Sequence, residues 1–205
     1  MTDTAAAILL AGGRGTRLGG ADKAALALGE STFLDLLVTS LASTCAPLIV
    51  VGPTPTMPLS HPVLTTQEQP PGGGPLAGIA AGIDLVPSHT TWCAVVACDT
   101  PFGARAFPDL FAATHHNDAD AFLATDSTGR PQPLVALYRV APLRRAVTAL
   151  NADNAVVNQP VRRLFTALSA HHVAVHDVWT RDVDTPDDLI QLRHDTTNTP
   201  PQEKP

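Results

Sequence analysis

Cysteine is scarce in this chain: Cys45, Cys93 and Cys98 are the whole complement, too few and too odd in number for a disulfide framework. Aromatic residues make up only 4%, so a core has to be built from Ala, Val, Leu and Ile. Positive charge is in deficit, with 13 Lys plus Arg against 19 Asp plus Glu and a net charge of −6. That balance excludes nucleic-acid binding by wholesale phosphate neutralisation, and a membrane-surface protein would need the same missing basic excess. No apolar run reaches the ~20 residues that cross a bilayer. The apolar stretch at 5–11 has no basic segment before it and runs straight into glycines, unlike a secretory leader. The expectation is a cytoplasmic protein with no nucleic-acid or membrane partner.

What is present is ample core material: 44% hydrophobic and 16% charged over 205 residues, against a prior of ~100–200 residues per domain. Short apolar runs alternate with segments of helical period. Strands are expected at 5–10, 48–51, 92–97, 119–124, 133–138 and 173–176, with a short apolar piece at 63–64. Helices are expected at 33–43 (capped by Ser31 or Thr32), 75–86, 108–116, 142–150, 160–170 and from Pro186 onward. This order predicts an α/β fold, a single Rossmann-like three-layer domain over 1–194 with a mostly parallel twisted sheet. Residues 195–205 are polar and proline-rich and read as a disordered tail. Ligands of such sheets bind beyond the carboxyl ends of the strands.

The first strand ends in Leu10-Ala11-Gly12-Gly13-Arg14-Gly15-Thr16-Arg17-Leu18-Gly19-Gly20-Ala21-Asp22-Lys23, with five glycines between positions 12 and 20. Such a loop can fold its N–H groups around an anion, and Arg14, Arg17 and Lys23 add positive charge. A glycine cluster alone serves equally as a surface turn. The loop is not a Walker A motif, because Asp22 and Ala24 flank Lys23, nor a dinucleotide fingerprint, because Leu18 stands where a third Gly or Ala belongs.

The loop resembles instead the signature of the MobA-like nucleotidyltransferases, the molybdenum cofactor guanylyltransferase family: Leu-Ala-Gly-Gly, a variable stretch, Arg, an apolar residue, Gly, then Asp-Lys. Gly74-Pro75-Leu76-Ala77-Gly78, Cys98-Asp99-Thr100-Pro101 and Asp184-Thr185-Pro186 follow in the family's order and at similar spacings. Pro131 to Tyr138 is similar to its substrate-side strand. The resemblance covers nearly the whole chain apart from the tail, and implies the nucleotidyltransferase type of α/β fold. It implies transfer of GMP from GTP to molybdopterin with release of pyrophosphate, dependent on Mg²⁺. Arg17, Lys23 and Asp99 would be catalytic. Leu10, Ala11, Gly12, Gly13, Lys23, Gln67, Gly74, Pro75, Leu76 and Asp99 would bind nucleotide, and Asp99 with Asp184 the metal. It also implies contacts with other cofactor-biosynthesis proteins and molybdoenzyme chaperones.

The chemistry agrees with these residue types. A phosphate monoester has a second pKa near ~6 and attacks as a dianion without a general base, and the chain shows no Ser-His-Asp or Cys-His arrangement. Asp99, at the end of a buried strand, offers Mg²⁺ a hard oxygen, or else caps the turn before Pro101. Asp184 reads equally as a second ligand and as the cap of the Pro186 helix. Arg162-Arg163 reads as a solvated face or as a contact for pterin phosphate. His115-His116 and His171-His172 lack helical ligand spacing and are expected at the surface.

Two places depart from the family. An Asp usually stands about eight residues before the Pro of Gly-Pro-Leu; the position holds Gln67, with Glu68 beside it. Guanine-using relatives often read Asn-x-Asn-Thr-Pro where this chain has Asp182-Val183-Asp184-Thr185-Pro186, a version found in cytidylyltransferases and in phospholactate guanylyltransferases. A molybdopterin cytidylyltransferase or sugar-1-phosphate nucleotidyltransferase is therefore the alternative enzyme. An inactive GTP-binding partner of a cofactor-assembly complex is the non-enzymatic one, against which Lys23 and Asp99 both argue.

Overall fold

A computed structural model describes residues 4–12, 14–15, 21–152 and 156–198. Its centre is β1 (Ala5–Leu10), a strand without a polar side chain. Ala5, Ala7 and Leu9 face one layer while Ala6 and Ile8 face the other, and all are buried. Parallel neighbours flank it: β2 (Leu48–Val51) pairs Leu10 with Val51, and β4 (Trp92–Ala97) pairs Leu10 with Ala97. β3 (Leu64–Thr66) lies outside β2 as a short edge. Beyond β4 come β6 (Pro131–Arg139), β5 (Ala121–Thr125) and β7 (Ala170–Ala174). The seven-stranded order is β7-β5-β6-β4-β1-β2-β3, and only β6 runs antiparallel to its neighbours. The α/β, mostly parallel architecture read from the sequence is the one observed.

Helices cover both faces. On one, α1 (Phe33–Leu41) buries Leu34, Leu37, Val38 and Leu41 against Leu9 and Val50. Thr32 starts it: the Asp35 N–H donates to Thr32 Oγ1 at 3.1 Å. α3 (Phe107–Ala113) packs on the same side through Phe107 and Leu110. On the other face lie α2 (Pro75–Ile83) and α4 (Val140–Ala152), burying Leu76, Ile79, Ile83, Leu143 and Val147 over Ile8, Val95 and Leu123. The small residues of α2 let the sheet itself come close. A methyl on Gly78 would sit 2.9 Å from Leu10 Cδ2, and one on Gly82 would sit 2.9 Å from Ile8 Cγ2.

Several boundaries differ from the sequence expectation. Residues 161–166 form a 3-10 helix, and β7 begins at Ala170, within the stretch expected to be helical. There parallel pairing of Ala170 with Ala121 decides the conformation. The last helix, α5 (Pro186–Asn198), continues through residues 195–198, which were expected in the tail. Leu192 and Leu189 seat it against Phe33, Phe102 and Val183. Residues 199–205 lie outside the described residues. Among the described residues no helix is long and apolar enough to cross a membrane.

Gly52 carries the tightest approach. Its φ is +139°, and a Cβ there would stand 2.8 Å from the Gly12 nitrogen and 2.9 Å from the Ala11 carbonyl carbon. Gly52→Ala should therefore destabilise the fold by about 1–3 kcal/mol, the usual magnitude for one residue forced into a sparsely populated backbone region. An unchanged denaturant midpoint would refute this.

Candidate active site

Three parallel strands end side by side at Leu10, Val51 and Ala97, and a cleft of about 330 Å³ opens beyond them. The Ala11 N–H donates to Val51 O at 2.7 Å, and the Cys98 N–H donates to Leu10 O at 2.9 Å. The chain leaving β1 is thus bonded on both sides as it enters the cleft. Leu10, Ala11, Gly12, Lys23, Gly74, Pro75 and Asp99 line it, all expected there from the sequence. Arg17 and Gly13 lie outside the described residues.

Lys23 is a buried charge of the site, 8% exposed. Asp22 puts it there: its carboxylate accepts from Ala24 N at 3.0 Å and caps the short turn Lys23–Ala25. The ammonium donates to Asp99 Oδ2 at 3.2 Å and to the Asp184 carboxylate. Burial alone would lower the lysine pKa. The hydrogen bond to Asp184 and the charge of Asp99 outweigh it and hold the value above the ordinary one.

Neither aspartate is spent as a helix cap. The turn after Asp99 begins a 3-10 helix, Gly103–Ala106, without a side-chain cap. The N-terminus of α5 is closed by Thr185 and Asp188 instead. The Asp188 N–H donates to Thr185 Oγ1 at 3.2 Å, while the Thr185 and Asp184 N–H groups donate to Asp188 Oδ2 at 2.7 and 3.0 Å. The Val183 N–H reaches Asp99 O at 2.8 Å, docking the last loop on the third strand's exit. The Asp184 carboxylate accepts from Lys23.

Two expected nucleotide contacts need correction. Gln67 is exposed and does not line the cleft; its neighbour Glu68 is 4% exposed and does. The Gly72 N–H donates to Glu68 Oε1 at 2.9 Å, and that oxygen stands 3.3 Å from where a methyl on Gly12 would lie. Among the described residues no cation pairs with this carboxylate. Leu76 is fully buried in the core under the sheet. The helical turn directs Pro75 and Gly78 toward the cleft and Leu76 away from it.

The remaining candidates stand apart. Cys93 and Cys98 are buried with their thiols pushed up by loss of solvent, and Cys45 is raised to about 11 by burial. They are packing residues. Among the described residues no group of three or more His, Cys, Asp or Glu could hold a metal ion. His115, His116 and His172 are at or near the surface as expected. His171 is half-buried instead, edge-on to Phe122 and 3.3 Å from the Asn117 amide. Arg162 is exposed and Arg163 donates to Gln159 Oε1 at 3.2 Å.

Residues 7–174 match the MobA-like NTP transferase domain, and that span includes the cleft end of β1, Lys23, Glu68 and Asp99. The chain belongs to this family. A molybdenum cofactor guanylyltransferase of Rhodopseudomonas palustris (strain HaA2) is 37% identical over 70% of this chain and 71% of its own length. One of Bradyrhizobium sp. (strain ORS 278) is 34% identical over 82% and 78%. A probable molybdenum cofactor guanylyltransferase of Bacillus mycoides (strain KBAB4) is 27% identical over 94% and 98%. Among solved structures, the molybdopterin-guanine dinucleotide biosynthesis protein A of Archaeoglobus fulgidus has a TM-score of 0.67 at 16% identity, covering 94% of this chain and 99% of its own. The 2-C-methyl-D-erythritol 4-phosphate cytidylyltransferase of Francisella tularensis has a TM-score of 0.73 at 15% identity, covering 92% and 98%. At these identities the structures speak to the fold alone. A fold shared with a cytidylyltransferase leaves base choice in this MobA-like domain to the residues of the cleft.

The Lys23 bridge has a pH signature. Its pKa is raised above 10.5 in the folded chain, so the stability it adds is complete below the unfolded value and disappears as pH rises through the folded one. The difference in unfolding free energy between the parent chain and Lys23→Ala should therefore stay level up to about pH 10 and shrink as pH rises from there to about 12. A difference that is constant across that range would exclude the bridge.

Proposed function

We propose that this MobA-like chain transfers the guanylyl group of GTP to the terminal phosphate of molybdopterin. The observation that carries the reading is one cleft joining the β1 exit loop, a buried lysine, an aspartate at a strand end and a buried carboxylate beside the glycine turn. The guanylyltransferase relatives at 34% and 37% identity support the same substrates. An oxygen of the acceptor phosphate bonds to the α-phosphorus of GTP, the bond from that phosphorus to the bridging oxygen breaks, and pyrophosphate leaves. Being a dianion with a second pKa near ~6, the acceptor needs no side chain to remove a proton.

The obstacle is repulsion between anions, and the cleft answers it with fixed positive groups. Lys23 offers an ammonium whose three donors can turn from carboxylate to phosphate. The backbone of Gly12 borders the same space. Two carboxylates that reach one ammonium are close enough to share one cation, and Asp99 with Asp184 form such a pair. Mg²⁺ commonly takes one or two carboxylates plus phosphate oxygens and water, so these residues fit it. When bound, it would offset the charge gathering on the phosphates.

Glu68 gives the site its base preference. Guanine presents two adjacent donors, N1–H and N2–H, on its pairing edge, and a buried carboxylate accepts both. Adenine and cytosine each place an acceptor beside a single donor there, and that acceptor would face the carboxylate. A site built for one hydrogen-bonding pattern discriminates strongly against others. Three buried, unpaired cysteines agree with a cytoplasmic setting.

Pyrophosphate release with GTP and molybdopterin tests the reaction. GTP should be used well ahead of CTP and ATP; equal use of CTP would favour the cytidylyltransferase reading that the Asp182 to Pro186 text supports. Lys23→Ala and Asp99→Asn should each lower turnover about a hundredfold or more while the chain stays folded. Glu68→Gln should raise the KM for GTP about tenfold, the scale of a lost hydrogen bond to a charged group. Gln67→Asp, in contrast, should change little. The reverse ranking of the two would return the base contact to position 67.

A further inference from the structure

The turn that holds Glu68 is itself held from a distant part of the chain. Between Glu68 and α2 the backbone folds back on itself. The Gly72 N–H donates to Glu68 Oε1 at 2.9 Å, and the Gly73 N–H donates to Pro70 O at 3.0 Å. The Gly78 N–H then donates to Gly74 O at 3.0 Å as α2 begins. These bonds all begin and end within residues 68–78. Among the described residues, the hydrogen bond that ties the turn to another segment comes from Asn158, whose N–H donates to Gly73 O at 2.6 Å.

Asn158 reaches Gly73 with an uncommon backbone. It is the third residue of a turn over 156–159, closed by the Gln159 N–H on Val156 O at 3.4 Å, and its φ is +54°. Among the described residues no other non-glycine residue has a positive φ. Asn and Gly tolerate that conformation at the third position of a turn, and a β-branched residue does not. Val156 anchors the turn in the core shared with Ile79 and Ile83 of α2, while the Asn158 side chain is exposed. Gly73 passes the restraint on. A methyl there would stand 3.0 Å from Pro70 O and 3.7 Å from Glu68 Cγ, so this glycine packs over the stem of the carboxylate. Its carbonyl meanwhile accepts from Asn158.

We infer that Asn158 is a positioning residue for base recognition: its backbone N–H fixes the turn over 72–74 and so aims the Glu68 carboxylate at the nucleotide. It acts through Gly73 rather than on the base itself. Hydrogen bonds weaken steeply as their angle closes. A carboxylate that must meet the two adjacent donors of guanine is therefore more sensitive to a shifted turn than one that meets a single donor. The inference rests on the base contact proposed for Glu68 above.

The probes are GTP and ITP, with binding to the full chain measured by isothermal titration calorimetry. Inosine lacks the 2-amino group, so the ratio of the two affinities reads whether the carboxylate meets both guanine donors. The parent chain should favour GTP. Asn158→Val cannot keep the positive φ without strain. It should weaken GTP binding about fivefold, the scale of one hydrogen bond, and bring GTP and ITP close together. Asn158→Gly keeps both the φ and the N–H and should behave as the parent does. A general loss of stability would weaken both nucleotides alike; an unchanged ratio in folded Asn158→Val overturns the inference. An equal loss in Asn158→Gly also overturns it, by assigning the effect to the side-chain amide. Should Asn158→Val fail to fold, hydrogen exchange at the Asn158 amide of the parent chain decides. Exchange should slow more with GTP bound than with ITP bound, and equal exchange in the two complexes overturns the inference. A parent chain that does not distinguish GTP from ITP would end the Glu68 reading and the role of Asn158 with it. A parent that distinguishes them, beside an Asn158→Val variant that does so equally, would remove the role of Asn158 alone.

Discussion

The parallel pairing of β1 between β2 and β4 is the constraint from which the rest follows. A strand of Ala, Ile and Leu buried on both faces has no polar side chain along its length. Polarity can enter only where the strand stops, at Leu10, and its neighbours stop beside it. The exit loops of three strands are therefore forced into one place. Helix α2 must press close enough to cover the strand, which Gly78 and Gly82 allow, and its first turn is carried to the same edge. The cleft is what remains above a sheet that has no other outlet.

Within that frame, charge is brought in from distant parts of the chain. Lys23 arrives on a capped turn, Asp99 on the third central strand, and Asp184 on the loop before the last helix. The Thr185–Asp188 capping pair matters here because it satisfies the helix start by itself. An aspartate beside a helix N-terminus usually helps close it; in this chain that duty is met one residue later.

Much of this was legible before any coordinates. β1, β2 and β4 have the bounds expected from their apolar runs, because a strand buried on both faces leaves a continuous signature. Lys23, Asp99 and Asp184 were singled out by type and motif, and the fold brings them together. Three things were not legible. Which of Gln67 and Glu68 enters the cleft depends on the path through Pro70, Pro71 and Gly72, and counting back from Pro75 misses by one. The direction of Leu76 is set by helix phase against the sheet, which spacing from a motif does not give. β7 exposes alternate residues at a sheet edge and carries only a weak apolar signal. Its conformation is imposed by β5.

The antiparallel strand β6 has a consequence for how this architecture tolerates change. Among the described residues, all but one that line the cleft come from positions 10–99; Leu134, on the first half of β6, is the exception. After β4 the chain builds a wing of β5, β6 and β7 that joins the sheet through β6, and its hairpin tip is tied by Ser127 to Asp177 at 2.7 Å rather than to the cleft. The chain is thus modular in order as well as in space. Insertions or altered side chains in the wing can reshape the approach for a second substrate while the first hundred residues keep their geometry. The pairing of β6 with β4 joins the two parts of the sheet, and Asp184, which comes from beyond the wing, returns to Lys23. Exchange of wings between family members therefore has to preserve the pairing of β6 with β4 as well as the loop that carries Asp184.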